Sequence, residues 1–227
     1  METDRIITAA RQQGQRALSE YAAKQFLAGY DIPVTREILT AAAAEAVAAA
    51  DEIGYPVALK ACGASLLHKS DRGLVALNVT SAADVQAAHE RLCRAAGEDL
   101  EGVLVQEMVT GQRELVVGMN RDPQFGPCVM LGLGGVMTEI FRDTAFRMAP
   151  IDMAEAADMT GQLRCRAMLD AFRGEQPADR EALCRCLVAV GRISLDRDDI
   201  EEIDINPLII TRRGDLAAVD ALIILKS

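Results

Sequence analysis

Four side chains able to meet phosphate, Lys60, His68, Lys69 and Arg72, sit close together in a chain whose formal charge is −10. A basic run in so acidic a chain concentrates positive charge where an anion could lie. Taken alone, a loop histidine such as His68 is more often a surface or capping residue than a functional one. The surrounding loop, Gly63 to Gly73, nearly matches the P-loop pattern G-x-x-x-x-G-K-[ST], with His68 where the second glycine belongs. A P-loop also needs a following helix whose N-terminus faces the phosphates. Leu74–Val79 has strand character instead, so the P-loop reading fails twice.

A second constellation closes the chain. Glu202–Ile210 and Leu216–Leu225 read as a hairpin whose turn, Arg212-Arg213-Gly214, suits a three-residue loop with glycine in the left-handed position. That turn sets Thr211 against Asp215 and therefore Asn206 against Asp220. Asp204 and Glu202 follow Asn206 at two-residue steps, on the same face. Three carboxylates and an amide oxygen converging on one patch would suit Mg²⁺, which prefers oxygen ligands and keeps its remaining waters or takes phosphate oxygens. A polar face open to solvent explains the same pattern, and a one-residue slip would break it. A third segment, Gly132-Leu133-Gly134-Gly135, could bring backbone N–H groups close to an anion, although a plain turn fits it equally.

The elements that must hold these residues alternate. Helical periodicity covers 3–17 and 20–28, with Ser19 as a candidate cap, and a short strand follows near 34–39. The alanine-rich run 41–53 is helical by propensity and stops at Gly54-Tyr55-Pro56. Strands 57–61 and 75–79, a helix from Ser81 to about 96 and a strand at 103–108 complete an α/β lobe. Beyond it come strands near 114–119, 127–131 and 145–149, and helices near 152–160, 165–172 and 179–195. The expected division is an N-terminal helix over 1–18, one lobe over about 19–108 and a second over about 109–227.

With 227 residues, half of them hydrophobic, the chain can bury a sizeable core. Its negative charge argues against nucleic acid, whose phosphates would repel it. No stretch is long and apolar enough to span a bilayer, and the N-terminus lacks a signal-type apolar segment, so no membrane role and a cytoplasmic location are expected. Six cysteines with no C-x-x-C pair, and only two histidines, make a zinc site a poor reading. Scattered cysteines of this kind are ordinarily reduced, buried small hydrophobes.

Taken together and in order, several segments resemble the ATP-grasp domain of the ADP-forming acyl-CoA synthetases, relatives of succinyl-CoA synthetase. They are Leu18-Ser19-Glu20-Tyr21, Gly54-Tyr55-Pro56-Val57, His68-Lys69-Ser70-Asp71, Gln106-Glu107-Met108-Val109 and Arg121-Asp122-Pro123-Gln124-Phe125-Gly126-Pro127. The series continues through Gly132-Leu133-Gly134-Gly135, Phe146-Arg147-Met148-Ala149-Pro150, Arg173-Gly174 and Asp204-Ile205-Asn206-Pro207-Leu208. The resemblance implies an α/β (α+β) ATP-grasp fold with two lobes clasping ATP or ADP with Mg²⁺. By position it implies that Lys60, with Lys69 beside it, reaches the phosphates and that Glu107 and Glu114 edge the nucleotide. Val109 would offer backbone to the adenine, and Gly134 and Gly135 would line the same site. It matches Asn206 and Asp220 to Mg²⁺ ligands, with Asp204 as a further one, in agreement with the hairpin register. It makes His68 the side chain that carries a phosphoryl group, a task suited to an imidazole whose neutral nitrogen is nucleophilic near pH 7.

One position departs from the pattern. The family usually has glycine where Leu74 stands; a required positive φ or close backbone approach to phosphate there would make leucine costly, whereas a strand start would make it harmless. Nor does the chain contain a CoA-binding Rossmann-type domain. The resemblance therefore implies a β subunit of an acid–CoA ligase that works with a separate CoA-binding α subunit, through which the small carboxylic acid and CoA enter. The alternatives are a catalytically impaired ATP-binding regulatory module and another ATP-grasp carboxylate ligase.

Overall fold

The computed structural model describes residues 2–66, 73–135 and 143–226. They form two compact units: a smaller one of Ala17–Ala22 and Thr35–Met108, and a larger one of Met1–Arg16, Ala23–Val34 and Val109–Ser227.

The smaller unit is built on four antiparallel strands, β1 (Glu37–Thr40), β2 (Val57–Cys62), β3 (Val75–Val79) and β4 (Gly102–Glu107), in the order β1-β4-β2-β3. Two of the chain's helices, α3 (Ala43–Ile53) and α4 (Ala82–Ala96), pack on this sheet. Each presents one apolar stripe at helical spacing: Ala46, Ala49, Ala50 and Ile53 on α3, and Val85, Ala88, Leu92 and Ala96 on α4. Ser81 caps α4 as its sequence predicts, its Oγ accepting the Asp84 N–H at 3.2 Å. Every residue of β2 is buried, so this strand is covered on both faces, and Lys60 is carried into that dry setting.

The larger unit holds β5 (Arg113–Asp122), β6 (Gly126–Leu133), β7 (Thr144–Met148), β8 (Ile200–Ile210), β9 (Leu216–Ala218) and β10 (Ala221–Leu225). Their order is β10-β8-β5-β6-β7, with β9 on the far half of β8, and every pairing is antiparallel. Helices α5 (Met153–Gln162) and α6 (Arg180–Asp196) pack against it. The first helix, α1 (Glu2–Gln12), belongs to this unit, tied by Arg197 to Asp4 at 2.6 Å. The second, α2 (Glu20–Ala28), buries Phe26 and Leu27 there.

Two boundaries differ from expectation. The helix expected over 3–17 ends at Gln12 because Gly14 takes φ +67°, and Gln15 N–H and Gly14 N–H bond back to the Ala10 and Arg11 carbonyls. That pattern is a Schellman stop. The helix expected at 165–172 shrinks to a single 3₁₀ turn, Arg166–Leu169, followed by a tight hairpin at Phe172–Glu175. All six cysteines are free. No described helix is long and apolar enough to cross a membrane.

Candidate functional site

The terminal hairpin has the register its turn dictates. Ile210 pairs with Leu216 and Leu208 with Ala218, and beyond a break Ala221 pairs with Ile205 and Leu222 with Asp204. Gly214 takes the left-handed position with φ +92°, and Thr211 N–H reaches the Asp215 carbonyl at 2.8 Å. Asn206 accordingly faces Asp220, its N–H donating to the Asp220 carbonyl at 3.2 Å.

The chemistry of the patch is acidic and only partly solvated. Burial, reinforced by the Glu202 and Asp220 carboxylates, pushes the Asp204 carboxyl up to about 6, and a hydrogen bond with the Asn206 side chain works against that rise. Mutual repulsion of this kind is what a bound dication relieves, and the donors are all oxygen, so the residues fit Mg²⁺. The three carboxylates share one acidic patch without forming a ready-made metal cage. Among the described residues, no three His, Cys, Asp or Glu side chains come together to hold a metal ion. The reason lies in strand geometry: same-face residues on β8 step by about 6.8 Å, so Glu202 and Asn206 stand too far apart to share one ion. A cation here would rest on Asn206 and Asp220, with Asp204 beside them, and on waters or phosphate oxygens for the remainder.

Glu114, Gly134 and Gly135 are brought together. Gly134 N–H donates to the Glu114 carbonyl at 2.7 Å. A β-carbon on Gly135, which has φ +68°, would lie 2.6 Å from Glu114 Oε2. The glycines are thus required by close approach to Glu114, a packing role that the bare motif did not disclose.

In the smaller unit, Lys60 is 5% exposed and its Nζ donates to Glu20 Oε1 at 2.7 Å. Glu20, 3% exposed, is the partner that sequence reasoning missed. Its signal was present, since Ser19-Glu20 opens α2 among the family-like segments, but no spacing rule connects residues forty positions apart. Glu107 binds Arg36 twice, accepting its backbone N–H at 2.8 Å and its Nε at 3.1 Å. Val109 is half-buried and begins the long C-terminal stretch of the larger unit. His68, Lys69 and Arg72 lie outside the described residues.

Leu74 is described, and it is a core residue. It is fully buried among Leu59, Leu66, Val85 and Leu92, and its carbonyl accepts the Ala61 N–H at 2.9 Å. Asp31, Asn78 and Arg173 are the described non-glycine residues with positive φ, and Leu74 is not among them; the neighbouring Gly73 takes +67°. Leucine therefore carries no left-handed backbone strain there. Leu74→Gly should lower stability by at least the 2–5 kcal/mol typical of emptying a buried leucine site, measured by urea melts. A gain of phosphoryl transfer in that variant would contradict the packing.

The sequence matches the ATP-grasp domain family over residues 9–225. It is 40% identical to the acetate–CoA ligase [ADP-forming] II subunit beta of Pyrococcus furiosus, covering 99% of this chain and 98% of that one. It is 34% identical to 4-hydroxybutyrate–CoA ligase [ADP-forming] of Nitrosopumilus maritimus, of which it spans 31%. Among solved structures, it is similar to the dinucleotide-forming acetyl-coenzyme A synthetase 1 of Ca. Korarchaeum cryptofilum in complex with coenzyme A, Ca-AMPCP and HgCl⁺. That match has a TM-score of 0.93 at 40% identity over 99% of this chain and all of the matched one. Another structure of that enzyme holds coenzyme A and Mg-AMPPCP with a phosphohistidine segment pointing towards the nucleotide site; its TM-score is 0.87 at 39% identity, again over 99% of this chain and all of the matched one.

Proposed function

The chain belongs to the ATP-grasp family of ADP-forming acyl-CoA ligases, and from that premise we infer that it is their nucleotide-binding β subunit. The reaction is acid + CoA + ATP to acyl-CoA + ADP + phosphate. The observation that carries this reading is the end-to-end match to a subunit named beta, at 98% of that subunit's length. The register that faces Asn206 with Asp220 supports it independently.

Within that reaction each group has a defined task. Asn206 and Asp220, with Asp204 beside them, would hold Mg²⁺, which when bound would supply positive charge to the phosphate oxygens. Lys60 meets the phosphates, and Glu20 fixes its ammonium in direction. Glu107 and Glu114 edge the nucleotide, with Val109 backbone at the base. The neutral nitrogen of His68 attacks the terminal phosphorus; an N–P bond forms, the bond to the bridging oxygen breaks, ADP departs and a ring proton is released. Lys69 offsets charge on the phosphoryl oxygens. Some relatives carry this unit as about a third of one long chain. The likeness to a subunit named beta supports a CoA-binding α portion supplied as a separate partner, through which acid and CoA enter.

A regulatory, transfer-dead module would draw on Leu74 and on the missing partner domains; the buried, unstrained packing of Leu74 lends it no support. Incubation with γ-labelled ATP and Mg²⁺ tests the assignment. Acid-labile label should appear on the protein, and His68→Asn should abolish it while the ATP-induced thermal shift persists. Acyl-CoA should form only when a CoA-binding subunit is added. Robust turnover by the chain alone, or full labelling of His68→Asn, would overturn the reading.

A further inference from the structure

The Arg173-Gly174 segment has no task in the reaction just described, yet it sits on an unusually well-secured piece of backbone. Phe172 and Glu175 exchange both backbone hydrogen bonds, at 3.3 and 2.9 Å, around Arg173 at φ +48° and Gly174 at φ +83°. Two left-handed central residues define a tight primed turn. Gly-free left-handed backbone is unfavourable and persists where the surroundings impose it. Arg113 imposes it. Its side chain, 3% exposed, donates from Nε to Glu175 at 3.2 Å, from Nη1 to the Met168 and Asp170 carbonyls, and from Nη2 to the Gln176 and Thr211 carbonyls.

What this frame displays is an aromatic ring and two cations. Phe172 is 48% exposed, with the Arg173 guanidinium 5.1 Å from its ring centroid. The two line a cleft of about 380 Å³ together with Gln112, Gly174, Glu175 and Arg212. The Glu175 carboxylate is engaged by Arg113. Among the described residues, Arg173 and Arg212 have no carboxylate partner, although the chain carries ten net negative charges. Guanidinium groups match phosphate oxygens through paired N–H donors, and an exposed aromatic face accepts a planar base by stacking.

We propose that this cleft binds a phosphorylated adenosine, separate from the Mg²⁺-dependent nucleotide, with the base on Phe172 and phosphate on Arg173 and Arg212. The ligand class rests on the functional reading above, in which both ATP and CoA carry adenosine phosphates. The same chemistry could come from the 3′-phosphoadenosine head of CoA or from a free nucleotide.

The test is calorimetric titration of the full chain with adenosine 3′,5′-bisphosphate in EDTA, where Mg²⁺-dependent binding is silent. Binding should be measurable below millimolar concentration and weaken about tenfold in Arg212→Ala and in Arg173→Asn, asparagine being tolerant of left-handed backbone. Phe172→Ala should weaken it as well, and Asp220→Ala should leave it unchanged. A preference for CoA over dephospho-CoA identifies the CoA head as the source; equal affinities for the two, both below that for the bisphosphate, identify a free nucleotide. Inorganic pyrophosphate binding as tightly as the bisphosphate would overturn the proposal, since the ring would then add nothing. So would unchanged affinity in the folded arginine variants. Failure of the β-subunit reading would show instead as loss of the Mg²⁺-dependent ATP response, with the EDTA titration unaffected.

Discussion

Asp220→Ala should remove most of the thermal stabilisation that ATP confers with Mg²⁺, while the apo protein melts close to the parent. A ligand at one hundred times its Kd stabilises by about 2.7 kcal/mol, and a protein of this size gains roughly 2–4 °C per kcal/mol. The parent should therefore rise on the order of 5–10 °C. If loss of the carboxylate weakens Mg-ATP about a hundredfold, the same ligand concentration leaves only a few tenths of a kcal/mol, about 1 °C. The apo cost is small for a structural reason. The bond that fixes the register runs from Asn206 N–H to the Asp220 backbone carbonyl, which alanine retains. Among the bonds lost is that from Ala221 N–H to Asp220 Oδ1 at 2.9 Å, worth about 0.5–1.5 kcal/mol. Against that loss, Asp204, whose carboxyl burial pushes up to about 6 with help from Glu202 and Asp220, is freed from the smaller of those two charge contributions. EDTA should reproduce the variant's behaviour in the parent. An undiminished Mg²⁺-dependent shift in Asp220→Ala would remove this residue from the metal site.

The parts of this site that were legible in the sequence are those set by local rules. The register of the terminal hairpin follows from one turn, because a glycine at φ +92° fixes the loop and the later pairs as far as Ile224 with Glu202 follow by counting, before a bulge sets Leu225 against Ile200. Leu74 could not be assigned that way. Its side chain is placed by helices α3 and α4 and by strand β2, all distant in sequence, so only packing distinguishes a strand start from a glycine-requiring turn. The same holds for Gly134 and Gly135, whose constraint is the Glu114 side chain and backbone across a strand pairing. Arg113 was visible only as a neighbour of Glu114. Its burial and its five hydrogen bonds depend on two separate loops meeting at one point. The expected α/β lobe is antiparallel throughout, since alternation of helices and strands in sequence does not by itself set strand direction.

The Glu20–Lys60 pair separates stability from function most sharply. Both groups are almost fully buried and 2.7 Å apart. Removing one partner of such a pair takes the nearest counter-charge from the other in a dry setting, which costs about 3–5 kcal/mol. Glu20→Ala and Lys60→Met should each lower the melting temperature on the order of 10 °C, from that cost and about 2–4 °C per kcal/mol. Replacing both, as Glu20→Leu with Lys60→Met, removes both buried charges. Stability should then return to near the parent, because apolar substitutes for a buried ion pair are often neutral or better. The double variant therefore folds without the ammonium, and its ATP response isolates what Lys60 does for the nucleotide. If Lys60 meets the phosphates, the Mg²⁺-dependent shift should collapse although the fold is intact. If Lys60 serves only to neutralise Glu20, the shift should survive in full. A double variant as unstable as the single ones would mean that the pair is held by interactions beyond its own charges.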